Sequence, residues 1–142
     1  MREEVRSVAP DDPAMRALLA SAGLLTADLA EGPAEYVALG APPVAFGGIV
    51  YCGPHALLRS VVVADGARKG GKGRAVVDHL LSRARLNKMR DVWLLTETAE
   101  PFFAALGFER CARDQAPSAI QATSQFSKLC PSSSTLMRRS LS

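Results

Sequence analysis

Aromatic side chains make up only 6% of the 142 residues, and the 3 cysteines, Cys52, Cys111 and Cys130, lie far apart. An odd number of thiols with no Cys-x-x-Cys pair provides neither a zinc-ligand set nor a disulfide framework. No metal is therefore expected, and the cysteines read as small buried hydrophobes of a reducing compartment. No apolar run reaches the roughly 18 residues of a membrane span. The opening MREEVRSV is too charged for a secretory leader. These absences point to a cytoplasmic protein without a membrane partner.

What remains is ordinary for a globular chain: 48% hydrophobic and 22% charged residues. The length suits a single domain over residues 1–142 with a real core. The formal charge is +3. The cations gather at one glycine-rich loop, on the segment after it, and at Arg138 and Arg139, rather than in one stripe. This favours a compact anionic ligand over a nucleic-acid surface. Arg138 and Arg139 are expected to be a solvated chain end.

Val5, Ser7 and Val8 predict a first strand. Asp11 or Asp12 is placed to cap a helix with Pro13 in its first turn and Gly23 as its stop. Residues 24–33 read as a short helix or loop. Strands are predicted from Tyr36 to Leu39, from Val44 to Cys52 as a hairpin partner, and from Ala56 to Ala64. The last is apolar on both faces and so belongs at the sheet centre. Ala75, Val76, Leu80, Leu81, Ala84 and Leu86 repeat at helical spacing. DVWLLT (91–96) reads as a buried strand, 100–106 as a short helix, Phe108 onward as a strand, 116–129 as one helix, and Leu136-Met137 as part of a final strand. The fold class is mixed α/β: a mostly antiparallel twisted sheet of about 6 or 7 strands flanked by about 4 helices.

The central strand runs into Arg68-Lys69-Gly70-Gly71-Lys72-Gly73-Arg74 and then into the amphipathic helix. A helix N-terminus presents unpaired N–H groups and a partial positive charge. Glycines let that backbone close around a phosphate, and the cations add full charges. The alternative is a loop that needs glycine only to turn. Gly66-x-x-x-x-Gly71-Lys72 misses the nucleoside-triphosphate loop, because Gly73 stands where a Ser or Thr must hold magnesium. The GxGxxG dinucleotide pattern is also lacking.

Arg68-x-x-Gly71-x-Gly73 instead fits (Q/R)-x-x-G-x-(G/A), and Thr96-x-x-Ala99-x-x-x-Phe103-x-x-x-Gly107-Phe108 resembles Asn-x-x-Ala-x-x-x-Tyr-x-x-x-Gly-Phe. Both blocks, in this order of elements, resemble the GNAT N-acetyltransferases over nearly the whole chain. LLRSVVVADGAR, LLTETAEPFFAALGFER and the tail SAIQATSQFSKLCPSSSTLMRRSL are similar to the enzymes encoded beside arsenic-resistance genes.

The resemblance implies acetyl transfer from acetyl-CoA to the amino group of a small amino-acid-like acceptor, such as a toxic glutamate analogue bearing phosphorus or arsenic. A homodimer is compatible with it. It implies a cofactor cradle of Arg68, Lys69, Gly70, Gly71, Lys72, Gly73 and Arg74. Val61, Val62 and Val63 would lie along the pantetheine arm, with Thr96, Phe102 and Phe103 bordering it. A backbone N–H of Val61 or Val62 would polarise the thioester carbonyl, and the strand would splay from DVWLLT to make room. Phe103 occupies the position of the family's tyrosine acid and has no proton to donate. Thr96 or Thr98 could serve in its place, as could water. A domain that binds acetyl-CoA with little catalysis, a sensor module, is the alternative function.

The central strand has no carboxylate base. Glu97 is a candidate acting through water, and Glu35 and Tyr36 could line the acceptor side. Each carboxylate could equally be a solvated surface charge, and His55 an exposed turn residue. Strand alternation puts Leu57, Arg59, Val61 and Val63 on one face. An arginine there needs a partner, either a carboxylate of the chain or an anionic acceptor. A thiol site for trivalent arsenic at Cys111 and Cys130 is a further reading, although nothing brings the two together.

Overall fold

The computed structural model describes residues 4–24, 26–30, 32–64, 71–128 and 134–141. Arg68, Lys69, Gly70 and Cys130 lie outside the described residues. The described elements run β1 (Val5–Val8), α1 (Pro13–Ser21), β2 (Ala34–Leu39), β3 (Ala45–Cys52), β4 (His55–Val63), α2 (Lys72–Leu86), β5 (Asp91–Thr96), α3 (Glu100–Ala105), β6 (Glu109–Cys111), α4 (Ser118–Gln121), α5 (Ser124–Lys128) and β7 (Thr135–Ser140). One mixed sheet of 7 strands has the order β1-β2-β3-β4-β5-β7-β6. Among the described strands only the β4–β5 pairing is parallel. β4 is the central strand, as its two apolar faces predict.

Local chemistry sets the helix ends. The Asp12 carboxylate accepts from the Met15 N–H at 2.9 Å, Pro13 opens α1, and Gly23 follows its end at φ 73°. The predicted single helix over 116–129 is instead two short ones. Thr123 is the cause: its hydroxyl donates to the Ile120 carbonyl at 2.7 Å and accepts from the Phe126 N–H at 3.3 Å. A side chain that terminates one helix and caps the next divides them.

α2 packs across one sheet face with Val76, Val77, Leu80, Leu81 and Ala84 in the main core. Its close approach needs Gly47, where a Cβ would stand 2.5 Å from Val76 Cγ1 and 3.0 Å from Leu80 Cδ1. On the other face Met15, Leu19, Leu29, Tyr36, Phe46 and Val62 form a second cluster. Val50, Leu57, Trp93, Ala116, Ile120 and Leu136 form a third.

The expected alternation along β4 breaks at a bulge. Phe46 pairs with Val62 but Gly48 with Arg59, so Ser60 and Val61 together face Gly47. Ser60 has φ 59°. One extra residue inverts the side-chain sequence beyond it. Arg59 therefore does not share a face with Val61 and Val63, which pack on the α2 side with Leu58.

Arg138 and Arg139 are not a solvated end. Arg139 Nη1 donates to the Leu106 carbonyl at 2.8 Å. Arg138 Nε meets Asp91 Oδ2 at 3.2 Å, and its guanidinium stands 5.7 Å from the centre of the Trp93 ring. Asp91 Oδ1 takes the Trp93 indole N–H at 2.9 Å and lies 2.6 Å from His55 Nδ1. His55 is thus a partner of Asp91 rather than an exposed turn residue. This buried carboxylate ties β4, β5 and β7 together at one end of the sheet.

Candidate active site

The tied end explains where the sheet opens. β4 and β5 pair only at His55↔Asp91, Ala56↔Val92 and Leu57↔Trp93. β4 continues to Val63 and β5 to Thr96 without pairing to each other. The facing edges separate into a cleft of about 840 Å³. Leu58–Val63 form one wall, and Leu94–Ala99 with Pro101, Phe102 and Phe103 the other. The first turn of α2, Gly71–Arg74, closes one end. Ala22, Gly23, Leu24 and Gln125 also border the opening, and no motif in the sequence marks them.

At the α2 end, Gly71 is the N-cap at φ 76° and contributes no side-chain cap, and no acidic residue occupies the first turn. A Cβ at Gly71 would meet nothing within 4 Å. Gly73 is buried because a Cβ there would reach Phe102 Cζ at 3.2 Å and Val63 Cγ2 at 3.3 Å. It thus lets the helix start sit against both walls. Among the described residues Arg74 makes a loose, exposed contact of 3.6 Å with Asp78.

Phe103 is buried and packs edge-on to Phe102 and Phe108, with centroids 5.0 and 5.8 Å apart. It therefore borders the cleft with a bare ring. Thr96 is buried, and its Oγ1 accepts from the Ala99 N–H at 3.0 Å, which shapes the turn into α3. Glu97 and Thr98 line the cleft and are solvent-exposed.

Arg59 has its partner within the chain. Its Nη2 stands 2.7 Å from Asp28 Oδ1, with the two side chains only 1% and 5% exposed. Its Nε donates to Ser60 Oγ at 2.9 Å, and its guanidinium lies 5.9 Å from the centre of the Tyr36 ring. Tyr36 supports Arg59 from the core and does not line the cleft. Asp28 and Ser60 are the polar site residues that the sequence reading missed. The need of a strand arginine for a carboxylate was the signal for Asp28, and a serine within a valine run the faint one for Ser60.

Glu35 does not line the cleft either. It receives the Tyr51 hydroxyl and a two-pronged contact from Arg83 at 3.0 and 3.3 Å. Partial burial pushes its carboxyl upward, but the hydrogen bonds from Arg83 and Tyr51 outweigh this and hold it below its ordinary value. Burial, then the Glu35 carboxylate, push the Tyr51 phenol well above its ordinary range. Cys111 lies on β6 with its thiol 3.8 Å from the Leu136 carbonyl, and burial raises its pKa. Among the described residues no group of three or more His, Cys, Asp and Glu side chains is gathered to hold a metal ion. No helix among them is long and apolar enough to cross a membrane.

Residues 7–108 match the model of the acetyltransferase (GNAT) family. Among solved structures, a GNAT-family acetyltransferase from Staphylococcus aureus superposes with a TM-score of 0.81 at 13% identity, covering 99% of this chain and 100% of that one. A Mycobacterium tuberculosis protein in complex with CoA and NLQ gives 0.75 at 23% identity, covering 98% and 99%. N-acetylglutamate synthase from Neisseria gonorrhoeae, complexed with coenzyme A and L-arginine, gives 0.78 at 18% identity over 98% of this chain. The present chain spans only 33% of that synthase.

Proposed function

The chain belongs to the acetyltransferase (GNAT) family, whose cosubstrate is acetyl-CoA, and from that premise we propose that the cleft transfers acetyl to the amino group of a small amino-acid-like molecule. The observation that carries this reading is the loss of pairing between β4 and β5 beyond Leu57↔Trp93. Beyond the bulge, the β4 edge at Val61 and Val62 has lost its β5 neighbour and can pair with an extended ligand. The uncapped start of α2 with Lys72 and Arg74 suits a diphosphate at one end of such a ligand. The neighbours solved with CoA support the same assignment.

The roles follow from position. Backbone N–H groups of Val61 or Val62 polarise the carbonyl to be attacked. Glu97, exposed at the cleft rim, takes the proton of the acceptor amine through water. With Phe103 in place of a hydroxyl donor, the leaving thiolate is protonated by solvent. Ala22, Gly23, Leu24 and Gln125 form the acceptor side, a role that passes to them from Glu35 and Tyr36.

The buried bare ring of Phe103 also favours a second reading, an acetyl-CoA sensor with little turnover. One assay separates the two. Acetyl-CoA-dependent thiol release is measured against a panel of amino acids that includes glutamate and its phosphinate and arsonate analogues, the acceptors that the arsenic-resistance resemblance implies. Release with a member of the panel supports the enzyme. Binding without release from any member supports the sensor.

A further inference from the structure

The bulge in β4 holds a feature that the backbone chemistry does not use. Ser60 is a buried polar residue, 9% exposed, at φ 59°, a region that residues with a Cβ rarely occupy. Such an outlier at a cleft wall is reason to seek a function for it. Its Oγ accepts from Arg59 Nε at 2.9 Å. In that contact Arg59 is the donor, so the hydroxyl hydrogen of Ser60 must point elsewhere. Among the described residues none accepts it, and Ser60 lines the cleft immediately before Val61 and Val62. The guanidinium in turn is fixed by Asp28 at 2.7 Å.

We propose that the Ser60 hydroxyl, polarised by the Arg59–Asp28 pair, is a second hydrogen-bond donor to the acetyl carbonyl oxygen, beside the strand N–H. A cation donating to a hydroxyl oxygen strengthens that hydroxyl as a donor. Ser60 is then a catalytic residue, while Arg59 and Asp28 are positioning residues. In the transfer, the acceptor nitrogen uses its lone pair to bond the acetyl carbon. The carbonyl π pair moves to oxygen and returns as the carbon–sulfur bond breaks. Sulfur leaves with the bonding pair, and the nitrogen gives its proton to water at Glu97. Ser60 keeps its own proton throughout and lowers the energy of charge on oxygen. This donor offers what Phe103 lacks, at a different atom.

The inference rests on the acetyl-CoA reading, so wild-type binding is measured first by calorimetry with coenzyme A. No binding there removes that reading and this one together. With binding present, Ser60→Ala and Ser60→Gly are compared. Ala retains the unfavourable φ and Gly relaxes it, so Ala is expected to have the lower Tm. Both should lose kcat by about 100-fold while coenzyme A affinity stays within about twofold. In complexes with ¹³C-acetyl-CoA, the carbonyl stretch should lie at higher frequency in both variants than in the wild type. Unchanged stretch and kcat in Ser60→Gly overturn the proposal, as does a kcat loss that follows Tm across the two variants.

Discussion

Asp28→Ala removes the carboxylate that stands 2.7 Å from Arg59 Nη2, in an ion pair whose side chains are only 1% and 5% exposed. Loss of one partner of a buried pair costs about 3–5 kcal/mol, chiefly because the survivor stays desolvated. Among the described residues its contacts with the Asp28 carbonyl, Ser60 Oγ and the Tyr36 ring are with uncharged groups and offset little of this. A chain of this size has a total stability of about 5–15 kcal/mol. The variant should therefore lose a large share of it, seen as a Tm lower by roughly 10–15 °C. Urea denaturation followed by circular dichroism reads the loss, with an unchanged m-value as the check on two-state behaviour. The double variant Asp28→Leu/Arg59→Met removes both charges and should recover to within about 2 kcal/mol of the wild type. A loss below about 1 kcal/mol for Asp28→Ala, or a double variant no more stable than the single, refutes the reasoning. The pair would then be solvated, and Arg59 available to clamp an anionic acceptor after all.

Two further outcomes follow from the ion pairs away from the cleft. Asp91→Ala leaves the Trp93 indole N–H without its acceptor and should cost about 1–3 kcal/mol from that donor alone; Asp91→Asn, which can still accept, should cost less in the same denaturation experiment. Glu35 titrates below its ordinary value in the folded chain, so its stabilising contribution is present above the unfolded carboxylate range of about 4 and disappears as pH falls through the lower folded value. The stability difference between wild type and Glu35→Gln should therefore be flat near neutral pH and shrink in acid; a difference that grows in acid contradicts the Arg83 contact.

Elements whose signals are local were legible in the chain. The apolar spacing from Ala75 to Leu86 and the pairing of Asp12 with Pro13 act within a few residues, and α2 and α1 lie where they predict. The apolar run of β4 and the start of α2 from Gly71 to Arg74, both marked in the sequence, border the cleft. What could not be read depends on distant partners. The bulge at Ser60 arises from the register against β3, so a strand that looks regular in sequence switches faces midway. Asp28 sits in a loop with no periodicity, and only the burial of Arg59 marks it as a partner. Arg138 looks like a chain-end charge until β7 pairs with β5 and brings it to Asp91. Thr123 was hidden in a helix-like stretch because a capping hydroxyl competes with the helix it interrupts. Glu35 and Tyr36 share a strand but face opposite sides, one toward Arg83 and one toward Arg59.

The most direct test of the cleft as a thioester-cofactor site is calorimetric titration of coenzyme A into the wild type and the Lys72→Glu/Arg74→Glu variant. Saturable one-to-one binding, weakened about tenfold or more in the variant and less so at high salt, is the expected result. No heat of binding with the wild type, or equal affinity in both proteins at low salt, contradicts it.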